Sequence, residues 1–238
     1  MFAGEVMIGY VRNIITHSAV DGPGNRLVVF LQGCNFNCRY CHNPETIPLD
    51  RENATLQMQV EDVEAVVDKH LDYLSGVTFS GGECTLQTAY LLACCRALKA
   101  KGVHILIDSN GSASQAYLSE LSEYVDGFMI DLKAFSGALH QAMTDAGNAR
   151  VLSNILFLAQ RGLLHEVRMV VVPALTDTRE SIAWLADQHL LHIPIKLIKY
   201  RAHGVTGRAE GLLPPTDEEM QALQAYAEKL GFHKIIRV

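Results

Sequence analysis

Apolar residues in this chain fall into two kinds of block. Short, almost unbroken runs occupy 27–32, 76–80, 104–108, 127–131, 167–172 and 195–199. Runs of that length, rich in Val, Ile, Leu and Phe and without polar alternation, predict strands buried on both faces. Between them, 60–70, 86–100, 115–123, 149–161 and 179–188 carry apolar residues three and four apart, the period of a helix with one face in a core. A last helix has an explicit start: Pro214 and Pro215 close the preceding segment, and Thr216 with Glu219 makes a T-x-x-E capping box. A short strand at 234–238 follows. Strand and helix in regular alternation predict right-handed βαβ units and a parallel sheet, an α/β fold. The period alone does not separate an open doubly wound sheet from a partial barrel.

Each apolar run leads into polar residues suited to chemistry. After the first come Cys34, Cys38 and Cys41; after the second, Gly81-Gly82-Glu83. The third leads to Asp108-Ser109-Asn110-Gly111 and the fourth ends in Asp131-Leu132-Lys133. The fifth carries Arg168, and the sixth leads to Tyr200, Arg201 and His203. Strand C-terminal ends share one face in parallel α/β folds, and sites form there, so these groups are expected to converge on one mouth. Singly, each also has a plain structural reading: a tight turn at Gly81-Gly82, a strand-ending turn at Asp108–Gly111, an ion pair between Asp131 and Lys133. Cys94 and Cys95, within a helical run, read as small core residues. Cys84 is expected to be structural too, since a reactive thiol needs an activating environment.

Composition narrows the field. A chain of 238 residues, 49% hydrophobic, can bury a sizeable core and does not read as disordered. A net charge of -6 argues against a general nucleic-acid binder, although Lys196, Lys199, Arg201 and Arg208 lie close in sequence. No run approaches the ~18 apolar residues of a membrane span. Met1-Phe2-Ala3-Gly4-Glu5-Val6 has neither the basic nor the apolar region of a secretion signal. The expectation is a cytoplasmic protein whose cysteines are thiols and metal ligands rather than a disulfide framework.

Cys34, Cys38 and Cys41 stand at C-x3-C-x2-C. Four thiolates normally hold a cubic iron–sulfur cluster; three would leave one iron open to a substrate or cofactor. Zinc is the competing occupant, but a structural zinc takes four ligands, and His42 would be strained as the fourth beside Cys41. The spacing alone leaves catalysis, electron transfer and zinc binding open.

Taken in order over nearly the whole chain, these segments resemble the radical S-adenosylmethionine (SAM) superfamily, and within it the glycyl-radical-enzyme activating enzymes. The resemblance is carried by Asp21-Gly22-Pro23-Gly24-Asn25-Arg26, by Gly33-Cys34-Asn35-Phe36-Asn37-Cys38-Arg39-Tyr40-Cys41-His42-Asn43-Pro44, by Val77-Thr78-Phe79-Ser80-Gly81-Gly82-Glu83, by Asp108-Ser109-Asn110-Gly111, by Asp131-Leu132-Lys133 and by Val167-Arg168-Met169-Val170-Val171-Val172-Pro173. It implies a partial (β/α)6 TIM-like barrel of the radical SAM type in a single domain, 1–238, with the first strand inside 1–33, a cluster loop at 34–43 and a C-terminal extension, 200–238, closing the barrel mouth. It implies a [4Fe–4S] cluster on Cys34, Cys38 and Cys41 whose open iron chelates S-adenosylmethionine. Tyr40, Asn43, Gly81, Gly82, Glu83, Asp108, Ser109, Asp131, Lys133, Arg168 and His203 match cofactor-binding positions, with Gly81 and Gly82 admitting the cofactor to the backbone and Glu83 accepting from its ammonium group. Asp108, Ser109, the Met129 backbone and Asp131 match ligands of a monovalent cation, Na+ or K+. Asp21 matches a contact to the partner's loop.

The implied activity is abstraction of hydrogen from a backbone glycine of a partner glycyl radical enzyme, with a one-electron donor such as flavodoxin or ferredoxin. Neither a nucleic acid nor a membrane is expected as a partner. The alternatives are a radical SAM enzyme acting on a small molecule or nucleotide, and a non-catalytic iron–sulfur or zinc module. This chain departs from many relatives in placing Cys84, not proline, after Gly-Gly-Glu. It has no cysteine from Asn43 to Leu74, so no ferredoxin-like insert with an auxiliary cluster is expected. The stretches 131–135 and 203–207 look closer to activases of poorly characterised glycyl radical enzymes.

Overall fold

The computed structural model describes residues 7–50, 56–173, 175–202, 209 and 211–238. It resolves into two compact units. One comprises Met1–Asn35, Glu45–Ser109 and Gln115–Gly127; the other comprises Phe36–Pro44, Asn110–Ser114 and Phe128–Val238.

The first unit holds β1 (Ile8–Ser18), β2 (Arg26–Leu31), β3 (Leu56–Gln59), β4 (Gly76–Gly81) and β5 (Ile105–Ser109), in the spatial order β3-β1-β2-β4-β5. Strands β2, β4 and β5 are parallel, with Val28 opposite Thr78 and Thr78 opposite Leu106. Strand β1 runs antiparallel between β2 and β3. Helices α1 (Val60–His70), α2 (Thr88–Ala100) and α3 (Gln115–Leu121) accompany them. Leu27, Val28, Val29, Val77, Phe79, Ile105, Leu106 and Ile107 have no exposed surface, as expected of parallel strands covered on both sides.

The second unit holds β6 (Gly127–Asp131) from Phe128 onward, β7 (Leu164–Val171), β8 (Ile195–Lys199) and β9 (Ile235–Arg237), adjacent in that order, with every pair parallel. Its helices are α4 (Gly137–Thr144), α5 (Ala149–Gln160), α6 (Thr178–Asp187) and α7 (Asp217–Leu230). Helix α7 begins where the sequence announces it: the Thr216 hydroxyl accepts from Glu219 N–H at 3.1 Å, and Thr216 N–H donates to the Glu219 carboxylate at 2.7 Å. Among the described residues no helix is long and apolar enough to cross a membrane.

The six apolar runs are β2 and β4–β8, and the periodic stretches are α1, α2, α3, α5 and α6, within a few residues at their ends. Three elements have no counterpart in the hydrophobic pattern. Strand β1 carries polar residues on an open face, and two register shifts against β2 break its alternation. Strand β3 is a short, mostly exposed edge. Helix α4 opens on Gly137 and is too short for its period to show, yet Ser136 caps its first turn.

Candidate functional site

The cysteine loop leaves the first unit at the C-terminal end of β2, and its base is pinched shut. Gly33 N–H donates to Thr46 O at 2.9 Å and Cys34 N–H to Ile47 O at 3.0 Å, so the outgoing and returning strands of the loop lie side by side. Gln32 secures them: its amide donates to Glu45 O at 3.0 Å and to Pro48 O at 2.9 Å. Sequence reasoning passed over Gln32; the signal was a polar residue closing an apolar run immediately before the cysteines.

The Gly81-Gly82 turn packs directly on that base. Gly82 N–H donates to Leu31 O at 3.0 Å and Glu83 N–H to Gly33 O at 2.8 Å. A Cβ at Gly81 would stand 2.2 Å from Leu31 O, and one at Gly82 would stand 2.3 Å from Gly33 O and 2.6 Å from Thr46 O. The glycines are therefore required by the approach of two backbone segments to each other. That is a different reason from room for a cofactor, which the sequence suggested.

Glu83 is buried, and one carboxylate oxygen, Oε1, accepts from Thr85 N–H (3.2 Å), the Thr85 hydroxyl (2.5 Å) and the Ser109 hydroxyl (2.8 Å). These charge-assisted bonds fix the carboxylate at the ends of β4 and β5. Beside it, the Ser80 hydroxyl donates to Asp108 Oδ2 at 2.8 Å. The fully buried Cys84 thiol points to Phe79 O and Asp108 O at 3.6 and 3.5 Å. Burial first, then the charges of Glu83 and Asp108, push its pKa well above the ordinary range, so it stays a protonated structural thiol. Burial likewise pushes Cys94 up to about 12 and raises Cys95.

Asp21 lies at the other end of the parallel strands, in the turn that precedes β2. Its carboxylate accepts from the Ser18 hydroxyl at 2.5 Å, and its carbonyl accepts from Thr78 Oγ1 at 2.6 Å. The turn is braced by Arg26, whose fully buried guanidinium donates to Thr78 Oγ1 at 2.6 Å and to Val77 O at 2.5 Å.

In the second unit the tip of the loop rests on α4. Asn37 N–H donates to Thr144 O at 2.8 Å and Arg39 N–H to Met143 O at 2.9 Å. A turn closed by Cys41 N–H to Cys38 O at 3.2 Å follows. Tyr40 is buried in a cluster with Ala134, Met143, Val172, Tyr200 and Ala209. The hydroxyls of Tyr40 and Tyr200 are both buried there without a hydrogen-bond partner among the described residues. Burial raises the Tyr40 pKa, against the opposing pull of Lys133, so the phenol is neutral. Lys133 Nζ lies 2.6 Å from Asp131 Oδ2 and 5.9 Å from the centre of the Tyr40 ring. Burial opposes the Lys133 charge, but the Asp131 carboxylate beside it outweighs the burial and holds its pKa above the usual lysine value.

Asp131 pairs with Arg168, and Met129 with Glu166, across β6 and β7. Arg168 is buried and donates from Nε to Glu166 at 2.8 Å, with a terminal nitrogen 2.9 Å from Met129 Sδ. His42 Nε2 meets Arg201 O at 3.0 Å. Asn43 is exposed where the loop returns. His203 lies outside the described residues.

Among the described residues no group of three or more His, Cys, Asp or Glu side chains is gathered closely enough to hold a metal ion. The donor chemistry nevertheless sorts cleanly. Cys34, Cys38 and Cys41 are partly exposed thiols on the loop, whereas Cys84, Cys94 and Cys95 are sealed in the core. Three accessible soft donors suit an iron–sulfur cluster, and a buried carboxylate with convergent hydroxyls suits a polar ligand.

Comparison with known proteins gives a consistent picture. The family described as the Radical SAM superfamily matches residues 28–185. The pyruvate formate-lyase 1-activating enzyme of Escherichia coli is 32% identical over 97% of this chain and 99% of its own. A putative glycyl-radical enzyme activating enzyme of Haemophilus influenzae is also 32% identical, over 96% of each chain. Among solved structures, a domain of the pyruvate-formate lyase-activating enzyme from Bacteroides vulgatus superposes with a TM-score of 0.59 at 23% identity, over 69% of this chain and 99% of its own, a likeness of fold.

Proposed function

The chain belongs to the radical SAM superfamily and, within it, to the glycyl-radical-enzyme activating enzymes, and on that premise we propose that Cys34, Cys38 and Cys41 are the ligands of its [4Fe–4S] cluster. The fold is the partial barrel of that superfamily, and the protein is an enzyme that activates a glycyl radical enzyme. The chemistry supplied by a bound cluster and S-adenosylmethionine is one-electron cleavage of the sulfonium C–S bond, giving methionine and a 5′-deoxyadenosyl radical that takes hydrogen from a backbone glycine of the partner. The electron comes from an external one-electron donor of the flavodoxin or ferredoxin class.

The observation that carries the ligand assignment is the contrast in exposure: the loop thiols are accessible and the other three are not. Glu83, held on one oxygen by Thr85 and Ser109, is a fixed acceptor for the cofactor's ammonium group. Lys133, kept charged beside Asp131, is a donor for its carboxylate or hydroxyls. Tyr40 and Tyr200 keep an apolar wall beside that pair, with two hydroxyls available to a bound group. Asp21, at the strand ends opposite the cysteine loop, stands as a candidate contact for the partner on the resemblance alone.

Anaerobic reconstitution followed by chemical reduction with S-adenosylmethionine is the direct test. The wild-type protein should release 5′-deoxyadenosine and, with its partner, give the EPR doublet of a glycyl radical. Cys38→Ala should do neither, because the cluster loses a ligand. A normal 5′-deoxyadenosine yield from Cys38→Ala would refute the assignment.

A further inference from the structure

Two amides of the cysteine loop, Asn37 N–H and Arg39 N–H, donate to the carbonyls of Thr144 and Met143. These belong to the last turn of α4, where helix carbonyls have no partner within the helix. The helix ends abruptly to present them. Asp145, its C-cap, takes the left-handed conformation at φ 61°, uncommon for a residue with a side chain, and returns its N–H to Gln141 O at 3.0 Å. Its carboxylate accepts from the Asn37 side chain at 2.8 Å.

One side chain organises this turn from below. His140 is completely buried, and its Nδ1 lies 2.7 Å from Ala146 O and 3.1 Å from Thr144 Oγ1. A carbonyl can only accept, so Nδ1 carries the proton. Thr144 Oγ1 in turn bonds His140 O at 2.8 Å and accepts from Ala146 N–H at 3.2 Å. The ring then meets Phe36 of the loop edge-to-face, with centroids 5.3 Å apart. Its other nitrogen, Nε2, is buried and has no partner among the described residues, a cost that packing alone would not select over phenylalanine.

We propose that the C-terminal turn of α4 is a preformed seat for the cysteine loop, and that His140 is the positioning residue that shapes it. The seat holds the backbone on both sides of Cys38 before any metal arrives, so cluster assembly meets a loop already ordered rather than a flexible one. The inference rests on the reading of this loop as the holder of the cluster.

The test uses the full-length protein in two stages. Before reconstitution, hydrogen exchange is followed at Asn37 and Arg39. His140→Phe keeps the ring against Phe36 and removes the bond to Ala146 O; exchange at both amides should accelerate roughly 2- to 10-fold, while amides of β7 are unchanged. His140→Asn keeps a donor near the Nδ1 position and should retain most of the protection. Wild-type exchange in His140→Phe, or equal loss in both variants, would overturn the role given to Nδ1–H; should His140→Phe fail to fold, His140→Asn with wild-type protection supports the role, and with lost protection overturns it. After anaerobic addition of iron and sulfide, uptake per chain is timed. A folded variant with a released loop should load the cluster more slowly than wild type; loading at the wild-type rate would overturn the link between seat and cluster. Cys38→Ala is run alongside: if it loads normally, the reading of the loop fails, a result separate from the exchange data.

Discussion

Gly82→Ala separates two explanations of the Gly-Gly-Glu turn. The added Cβ would stand 2.3 Å from Gly33 O, 2.7 Å from Gly33 C and 2.6 Å from Thr46 O. All three atoms are backbone, so no side chain can swing aside. Gly82 is not among the glycines with positive φ; the penalty is steric rather than conformational. Relief requires moving the Gly33–Thr46 and Glu83–Gly33 hydrogen bonds, which close the base of the cysteine loop. Overpacking of this kind costs about 1–3 kcal/mol, or roughly 2–12 °C in Tm for a chain of this size. Urea unfolding of the metal-free protein should show the loss as a lower midpoint at constant slope, and iron uptake should fall with it. Gly147→Ala, with nothing within 4 Å of its Cβ position, serves as the control and should stay within about 0.5 kcal/mol of wild type. If Gly82→Ala leaves metal-free stability untouched and weakens only S-adenosylmethionine binding, the glycine serves the cofactor and the packing argument is wrong.

Three further outcomes follow from the geometry. Burial acts to raise the Asp126 carboxyl, but Lys99 at 2.7 Å and Ile105 N–H at 2.8 Å hold it below the ordinary value; a lowered pKa gives stability that is complete above the unfolded value of about 3.9 and vanishes as pH falls through the folded one. Asp126→Asn should therefore be less stable near neutral pH and show a shallower acid decline in urea midpoints, and an unchanged slope would contradict the assignment. Asp131→Ala strands the Lys133 ammonium, whose side chain is only 13% exposed, and should lose about 1–3 kcal/mol, most of it restored by adding Lys133→Met; S-adenosylmethionine binding should weaken with cluster absorbance intact, and loss of the absorbance would make Asp131 a support of the cluster or fold. Cys84→Ala should cost about 1 kcal/mol with an unchanged yield of 5′-deoxyadenosine, and a lost yield would move Cys84 into the site.

The strands that carry the chemistry were legible because burial on both faces forces continuous apolar runs, and Gly127–Asp131 and Ile195–Lys199 match their runs residue for residue. The loop cysteines were legible as candidate ligands because ligand chemistry fixes residue type and spacing along the chain. What sequence could not decide is which atoms meet once the chain closes on itself. Gly82 reads as room for a ligand, and only the fold shows that Gly33 O and Thr46 O also lie against it. Cys84 was expected to be structural, but only the fold shows what seals its thiol, Phe79 O and Asp108 O. Helix α4 left no periodic trace, yet its last two carbonyls receive the loop amides on either side of Cys38. The sequence determined the donors and their order, because covalent spacing and hydrophobic period are local. The tertiary structure decided how the loop is held, because backbone hydrogen bonds between distant segments depend on no side-chain code.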